Sequence, residues 1–430
     1  MFWTTLISVL IFTASTGTAL GAALGLTGLI VLYFFADGAT SLALNAVWNV
    51  LNEFTLSAIP LFIIMGEILL ESGVSRKIYS SLSGIFRHIP GGLLHTNIAV
   101  CTVFGAISGS SLSTAAAVGS VAYPEMSKRN YDEPMIVGSL AGGGTLGLLI
   151  PPSLSLLIYG ALTETSIGKL FMGGILPGVL MAFLFMLYIL IRCTKNPKLW
   201  NSDSGSEVKT NSPIIDFLKI WPVAFLIIAV MGSIVFGIAT PTEAAGVGVI
   251  SSLILGLLWG DLSKEKIFKC FYNSAITYGS IGFVVVGAVI LAQSISILGI
   301  PQELIETIQE LGMSRYYVLV MIVLIYLVLG CLFDGLSLMV MTLPIVFPLM
   351  TNLGFDPVWL GVIITIMIEI GQVTPPVGLN LSVLVAVTDN KVGLGETAVA
   401  TSPYWMLLLF GILIVTVFPS IVMYMPNNLM

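Results

Sequence analysis

Long apolar segments follow one another along nearly the whole chain, and they limit the possible folds more than any other feature. They cover roughly residues 3–35, 55–72, 92–125, 135–163, 171–192, 220–259, 272–298, 316–350, 358–388 and 402–425. A helix of about 20 apolar residues crosses the hydrocarbon layer of a bilayer, whereas outer-membrane strands are shorter and alternate. The pattern predicts an all-α polytopic membrane protein, multi-pass in a bacterial cell inner membrane.

The shortage of charge supports this class. Only 9% of the residues are charged and the mean hydropathy is +1.04, whereas soluble domains are about 25% charged. The net charge of −6 is spread along the loops without a basic patch, so no nucleic-acid partner is expected. The cysteines lie far apart and are expected to pack rather than to form disulfides or bind a metal: Cys101, Cys193, Cys270 and Cys331.

The chain divides into two halves that carry the same elements in the same order. The polar stretch 193–219 is expected to be a cytoplasmic linker between residues 1–192 and 220–430. Within the halves, FGAISGSSLSTAAAVGSVAYPEM (104–126) corresponds to LGCLFDGLSLMVMTLPIVFPLM (329–350), and Pro151-Pro152 corresponds to Pro375-Pro376, at an offset near 225. We therefore predict an internal repeat.

Basic residues indicate how each half is inserted, because Lys and Arg concentrate on the cytoplasmic side. Both flanks of segment 92–125 are basic, and neither flank of segment 316–350 is. Each segment is therefore predicted to be a re-entrant hairpin, one entering from the cytoplasm and the other from outside. With broken helices at 135–163 and 358–388, the halves are inverted repeats, as in many secondary transporters.

The two Pro-Pro pairs are the first elements expected to carry chemistry. A proline pair ends a helix, and broken backbone inside a membrane must be buried in protein or line a polar cavity. Freed carbonyls there coordinate a hard cation such as Na⁺, and helix N-termini attract an anion. A single break is explained as well by a kink satisfied by neighbouring Ser or Thr, but two breaks at matching positions favour an ion site.

The hairpin tips and a few acidic residues are the remaining site candidates. The first tip lies at Ser108–Ser111 in SGSSLSTAAA, and the second lies in LFDGLS. Asp334 in the second tip is expected to bind a cation, to cap the following helix, or both. Glu369 stands just before the second break and is a further candidate, whereas Glu243 follows Thr-Pro-Thr and is expected to cap a helix.

Several motifs of other function classes are absent from the sequence. There is no G-x-x-x-x-G-K-[ST] loop for ATP, no G-x-S-x-G and no H-E-x-x-H. Energy for transport is therefore expected from an ion gradient or a partner subunit. The chain is not expected to be an enzyme.

Five segments make the chain resemble the large membrane (M) subunit of tripartite ATP-independent periplasmic (TRAP) transporters. They are IPLFIIMGEILLESG (59–73), the 104–126 segment, GGGTLGLLIPPS (142–153), TPTEAAGVG (240–248) and GQVTPPVGLN (371–380). The resemblance implies two inverted repeats that work as an elevator-type transporter of the ion-transporter superfamily. It also implies Na⁺-driven import of a small organic anion, such as a C4-dicarboxylate, sialic acid or another sugar acid.

The resemblance further implies two protein partners and a set of site residues. The partners are a small four-helix membrane subunit (Q), here expected as a separate chain, and a periplasmic substrate-binding protein (P). Coupling Na⁺ ions, at two or more sites, would be bound by residues of the tips and breaks: Ser108, Ser111, Gly143, Thr145, Gly335, Ser337, Gly371 and Thr374. Asp334 is added to these metal-binding candidates on the argument from its place in an apolar segment. Substrate would lie near Ser110, Ser111, Pro152, Pro376 and Asn380.

Two other functions stay open on the sequence alone. The first is a stand-alone divalent-anion/Na⁺ symporter of the same superfamily, which would work without Q and P. The second is a channel. Uptake that is slow, saturates and depends on a gradient would exclude it.

Overall fold

The computed structural model describes residues 4–5, 8–9, 12–13, 16–86, 88–200 and 220–429. Every regular element in these ranges is a helix, which confirms the predicted all-α class. Seven helices of the described residues are long and apolar enough to span a membrane, and shorter apolar helices accompany them. Most of the predicted linker 193–219 lies outside the described residues, so its role stays a prediction.

The first half contains nine α-helices among the described residues. These are α1 (Leu20–Phe35), α2 (Ser41–Leu51), α3 (Ala58–Glu71), α4 (Val74–Leu82), α5 (Leu93–Ser108), α6 (Ser111–Lys128), α7 (Glu133–Leu149), α8 (Leu154–Thr163) and α9 (Ile167–Lys195). Short 3₁₀ turns lie at Phe54–Ser57 and Pro197–Leu199.

The second half begins with α10 (Trp221–Ile227), which continues through a π-helical turn at Ile228–Gly232 into Ser233–Val235. The elements that follow are α11 (Pro241–Leu258), α12 (Lys264–Ile297), α13 (Ile300–Glu310), α14 (Arg315–Gly330), α15 (Gly335–Asn352), α16 (Pro357–Gln372), α17 (Leu379–Val387), α18 (Leu394–Val417) and α19 (Ser420–Leu429).

The helix interruptions lie where prolines and small polar residues stand in the sequence. Segment 92–125 forms α5 and α6, which are separated at Gly109-Ser110, and α6 continues three residues beyond the predicted end. Segment 316–350 forms α14 and α15, and each Pro-Pro pair separates two helices. That the hairpins are re-entrant, and that the halves are inverted, stays a prediction.

Side-chain caps explain where the new helices begin. The Ser113 N–H donates to the Ser110 hydroxyl at 3.4 Å, and the Ser337 N–H donates to Asp334 Oδ1 at 3.1 Å. Such caps satisfy backbone donors that have no partner inside the helix. Thr240 and Glu243 form a capping box at the start of α11, which confirms the capping role predicted for Glu243.

Glycine pairs bring each hairpin against the broken helix of its own half. A Cβ added at Gly105 in α5 would lie 2.7 Å from the Cα of Gly147 in α7, and one added at Gly330 in α14 would lie 2.7 Å from the Cα of Gly371 in α16. Only glycine allows two backbones to pack this closely. The same close contact therefore occurs at corresponding positions of both halves.

Helix α6 also lies across the broken helix of the second half. Gly119 in α6 packs on α17, since a Cβ there would lie 3.1 Å from Cγ1 of Val387. Polar contacts join α8 to α16, where the hydroxyl oxygens of Ser155 and Thr365 are 3.2 Å apart and the Tyr159 hydroxyl donates to the Pro357 carbonyl at 2.7 Å. The hairpins and broken helices thus pack as one interlocked unit.

Candidate ion and substrate site

The first hairpin tip lies against the first Pro-Pro break. Gly109 has a positive φ of 60° and turns the chain between α5 and α6. The Leu154 N–H donates to the Gly109 carbonyl at 3.4 Å, and a Cβ at Gly109 would lie 3.0 Å from the Pro152 carbonyl oxygen. The backbone next to Ser110 therefore lies against the break that contains Pro152.

The same tip contacts the second half through a buried carboxylate. The Ser111 hydroxyl donates to Glu369 Oε1 at 2.5 Å, and both residues are only 1% exposed. Ser111 is the first residue of α6, while Glu369 lies in the last turn of α16. A buried carboxylate is costly unless opposite charge, a proton or hydrogen bonds compensate it, and a bound cation at this position stays a prediction.

Buried polar atoms without partners occur on both sides of the second break in the sequence. Glu369 Oε2, Gln372 Oε1 and both amide atoms of Asn380 lack a hydrogen-bond partner among the described residues. Such atoms are normally bonded in folded proteins. They belong to a 12-residue stretch, 369–380, that encloses Pro375-Pro376. Carboxylate and amide oxygens are ligands that hard cations prefer, so the oxygens of these three residues are candidate ligands, and Na⁺ binding by them stays a prediction.

The second tip packs against α16 of its own half. The nearest neighbours of a Cβ at Gly335 are Gln372 and Ile368. Ser337 is 5% exposed, and Asp334 is partly exposed and caps α15. The structure thus shows capping by Asp334, and a cation at this tip stays a prediction.

The remaining predicted ligands lie within α7 or at the end of α16. The Thr145 hydroxyl donates to the Gly142 carbonyl at 2.6 Å, and the Thr374 hydroxyl donates to the Ile370 carbonyl at 2.5 Å. A Cβ at Gly143 would lie 2.9 Å from Cys101, so this glycine packs against α5. Gly143 and Thr145 lie inside α7, where helical hydrogen bonds occupy the carbonyls.

The predicted substrate residues differ in exposure. Ser111 and Pro152 are buried and Asn380 is 0% exposed, whereas Ser110 is partly exposed and Pro376 is exposed. Ser108 is buried, and its hydroxyl is 2.8 Å from that of Thr114. The first break is therefore enclosed, while the second opens to the surface at 375–377.

Two features of the site were not among the residues predicted from the sequence. Gln372 is 5% exposed and has a free amide oxygen within the described residues, and the link between Ser155 and Thr365 joins the two halves. The sequence signal for Gln372 was its polarity within the apolar run before Pro375-Pro376. The described residues contain no cluster of three or more His, Cys, Asp or Glu side chains able to hold a metal.

Comparison with known proteins decides the family of this chain. The family described as "Tripartite ATP-independent periplasmic transporter, DctM component" matches residues 6–421. The chain belongs to this family. Its members are transporter permeases, so the chain is a TRAP transporter subunit.

Two TRAP relatives and one solved structure show how far the similarity extends. The C4-dicarboxylate TRAP transporter large permease protein DctM of Pseudomonas aeruginosa is 35% identical over 94% of this chain and 93% of its own length. The sialic acid TRAP transporter large permease protein SiaM of Vibrio cholerae is 27% identical over 96% and 95%. The Alcanivorax borkumensis YdaH transporter shares the fold, with a TM-score of 0.64 at 15% identity over 90% of this chain and 91% of that one.

Proposed function

We propose that this chain is the M subunit of a Na⁺-coupled TRAP transporter that imports a small organic anion across the bacterial inner membrane. The observation that carries the proposal is the contact between Ser111 and Glu369, which joins a hairpin tip to a helix break beside unpartnered buried oxygens. Na⁺ bound there would offset the buried carboxylate and fasten the tip to the break.

The ion would also prepare the anion site. The N-termini of α6 and α8 carry positive partial charge, and they meet where Gly109 contacts Pro152 and Leu154. A bound cation adds positive potential to this region, so a carboxylate is accepted only after the ion. Because the anion binds only after Na⁺, the inward flux of the anion is coupled to the inward flux of Na⁺.

The motion would carry the site across the membrane as a unit. Hairpins and broken helices are interlocked through the glycine pairs and the contacts between α8 and α16. They would move as one elevator against a scaffold formed by the other helices. The tripartite family description supports a small membrane subunit Q and a periplasmic binding protein P as partners.

Uptake in proteoliposomes tests the proposal. The chain, purified with its small membrane subunit, would be supplied with binding protein and an inward Na⁺ gradient, and radiolabelled succinate and N-acetylneuraminate would be the probes. We expect saturable uptake of one of them that needs the binding protein. Uptake that persists without binding protein and small subunit would support the stand-alone symporter instead, and uptake that is equally fast without Na⁺ would contradict the proposal.

A further inference from the structure

An apolar groove of about 510 Å³ runs between α14 and α18 on the surface of the helix bundle. Its floor is buried, since Leu319 of α14 and Ile412 of α18 are only 4% and 5% exposed. Other lining residues are exposed apolar side chains, such as Val320 and Leu413 at 54% and 56%. None of the residues singled out as ion or substrate ligands lines this groove.

Aromatic residues mark one end of the groove. Tyr316 lines it at the start of α14, and its ring packs edge-on against Phe355 with the ring centroids 6.2 Å apart. Phe355 stacks on Trp359, whose indole N–H donates to the Val415 carbonyl in the last turn of α18 at 3.2 Å. The start of α14 and the end of α18 therefore meet here. Tyrosine and tryptophan are enriched where membrane proteins pass from hydrocarbon to water, which places this end at the membrane surface.

A cation without an ion pair lies at the same end. The Arg315 guanidinium lies 4.9 Å from the ring centroid of Tyr316 and 5.5 Å from that of Phe355. Of its five N–H donors, one bonds the Tyr316 hydroxyl at 2.9 Å. Among the described residues neither Glu310 nor Asp356 forms an ion pair with it, and Asp356 caps α16 instead. The guanidinium therefore keeps donors for a further acceptor.

The length of the groove matches one leaflet of a bilayer. It runs from Tyr316 to Leu324 on α14 and from Val417 back to Leu409 on α18. A step of about eight residues rises about 12 Å, and half of a hydrocarbon core of about 30 Å is about 15 Å. A helix of that length, about 10–12 Å across, would fill roughly 1,000 Å³, about twice the volume of the groove. An acyl chain therefore fits the groove better than a partner helix does.

We propose that this groove binds one membrane phospholipid, with an acyl chain along Leu319 and Ile412 and the headgroup phosphate at Arg315. Arginine binds phosphate oxygens through paired N–H donors, and a groove gives the chain more van der Waals contact than a flat helix surface. The lipid fills the gap between α14, the first arm of the second hairpin, and α18. The inference does not depend on the substrate or on the coupling ion.

Photocrosslinking in vesicles tests the site. The chain, purified with its small membrane subunit, would be reconstituted into phosphatidylethanolamine and phosphatidylglycerol with a trace of phosphatidylethanolamine that carries a diazirine in its acyl chain. Mass spectrometry would give the labelling of peptides 316–324 and 409–417 relative to that of the exposed side of α12. We expect this ratio to fall about fivefold in Arg315→Ala, because the phosphate loses its cation. Lys169→Ala, at an exposed position of α9 outside the groove, should leave the ratio unchanged.

A second variant tests the groove without changing the charge. Leu413→Trp places a larger side chain in the groove and keeps Arg315, so it should also lower the labelling ratio, and it serves as the test if Arg315→Ala does not fold. Wild-type labelling of the groove no stronger than that of α12, or a ratio that the folded variants leave unchanged, would overturn the inference. p-Benzoylphenylalanine placed at Val320 should crosslink to phospholipid. Crosslinks to the small membrane subunit instead would show that a protein helix occupies the groove, and would also overturn it.

Discussion

Ser111 and Glu369, 258 residues apart in the chain, form a 2.5 Å hydrogen bond that joins the two halves of the protein. The hydroxyl belongs to the first residue of α6 and the carboxylate to the last turn of α16. The second carboxylate oxygen has no partner among the described residues. This contact links the hairpin tip, the helix break and a buried carboxyl group in one place.

The negative charge of Glu369 should matter more for Na⁺-dependent uptake than its hydrogen bond with Ser111. Glu369→Gln keeps an oxygen that accepts the Ser111 hydrogen bond but removes the negative charge. We expect the Na⁺ concentration for half-maximal uptake to rise about tenfold or more, because a cation loses a buried opposite charge. Glu306→Gln, at an exposed position of α13, is the control and should behave as wild type. An unchanged Na⁺ dependence of Glu369→Gln would remove this carboxylate from the ion site.

The hydroxyls at the tip and the second break should also support Na⁺ binding. Ser111→Ala and Thr374→Ala should each lower Na⁺-dependent uptake severalfold, since each removes an oxygen beside the site and, for Ser111, leaves Glu369 Oε1 without its donor. Ser80→Ala, on the exposed surface of α4, serves as the matched control. If both variants transported at the wild-type rate over a Na⁺ titration, the ligand assignment would be wrong.

Asp334 offers a way to separate helix capping from cation binding. Asp334→Asn preserves a good helix cap but lacks the charge, whereas Asp334→Ala loses both. We expect the Asp334→Asn variant to keep its thermal stability but to need a higher Na⁺ concentration for half-maximal uptake. The Asp334→Ala variant should show the same Na⁺ effect and also lose about 1 kcal/mol in the free energy of unfolding. Thermal unfolding and Na⁺ titration of uptake measure the two effects. If the Asp334→Asn variant showed the same Na⁺ dependence of uptake as wild type, Asp334 would act only as a helix cap and not as a cation ligand.

The glycine pairs predict a stability effect that is independent of transport. Gly105→Ala and Gly330→Ala would each place a Cβ 2.7 Å from the backbone of a neighbouring helix, and overpacking of this kind costs about 1–3 kcal/mol. Gly279→Ala in α12 has nothing within 4 Å of the added Cβ and should be neutral or stabilising. Melting temperatures in detergent compare the three. A Gly105→Ala protein as stable as wild type would show that the helices pack less closely.

The sequence predicted the helix breaks better than the contacts between them. Prolines and small residues act locally, so Pro151-Pro152, Pro375-Pro376 and the tip near Ser108–Ser111 could be located directly. The hydrogen-bond partner of Ser111 could not be located in this way, because one sequence does not show which helices pack together. Glu369 was recognised only as an acid near a break, and Gln372 was missed because its burial depends on Gly335 packing against it.

The most direct test of the account is Na⁺-coupled uptake of the organic anion by the complete transporter in proteoliposomes. Initial rates would be compared for an inward Na⁺ gradient and for an equal K⁺ gradient, with the same membrane potential, binding protein and labelled substrate. The account predicts rapid uptake that saturates with Na⁺ and near-background uptake in K⁺. Uptake in K⁺ alone at the rate measured in Na⁺ would contradict it.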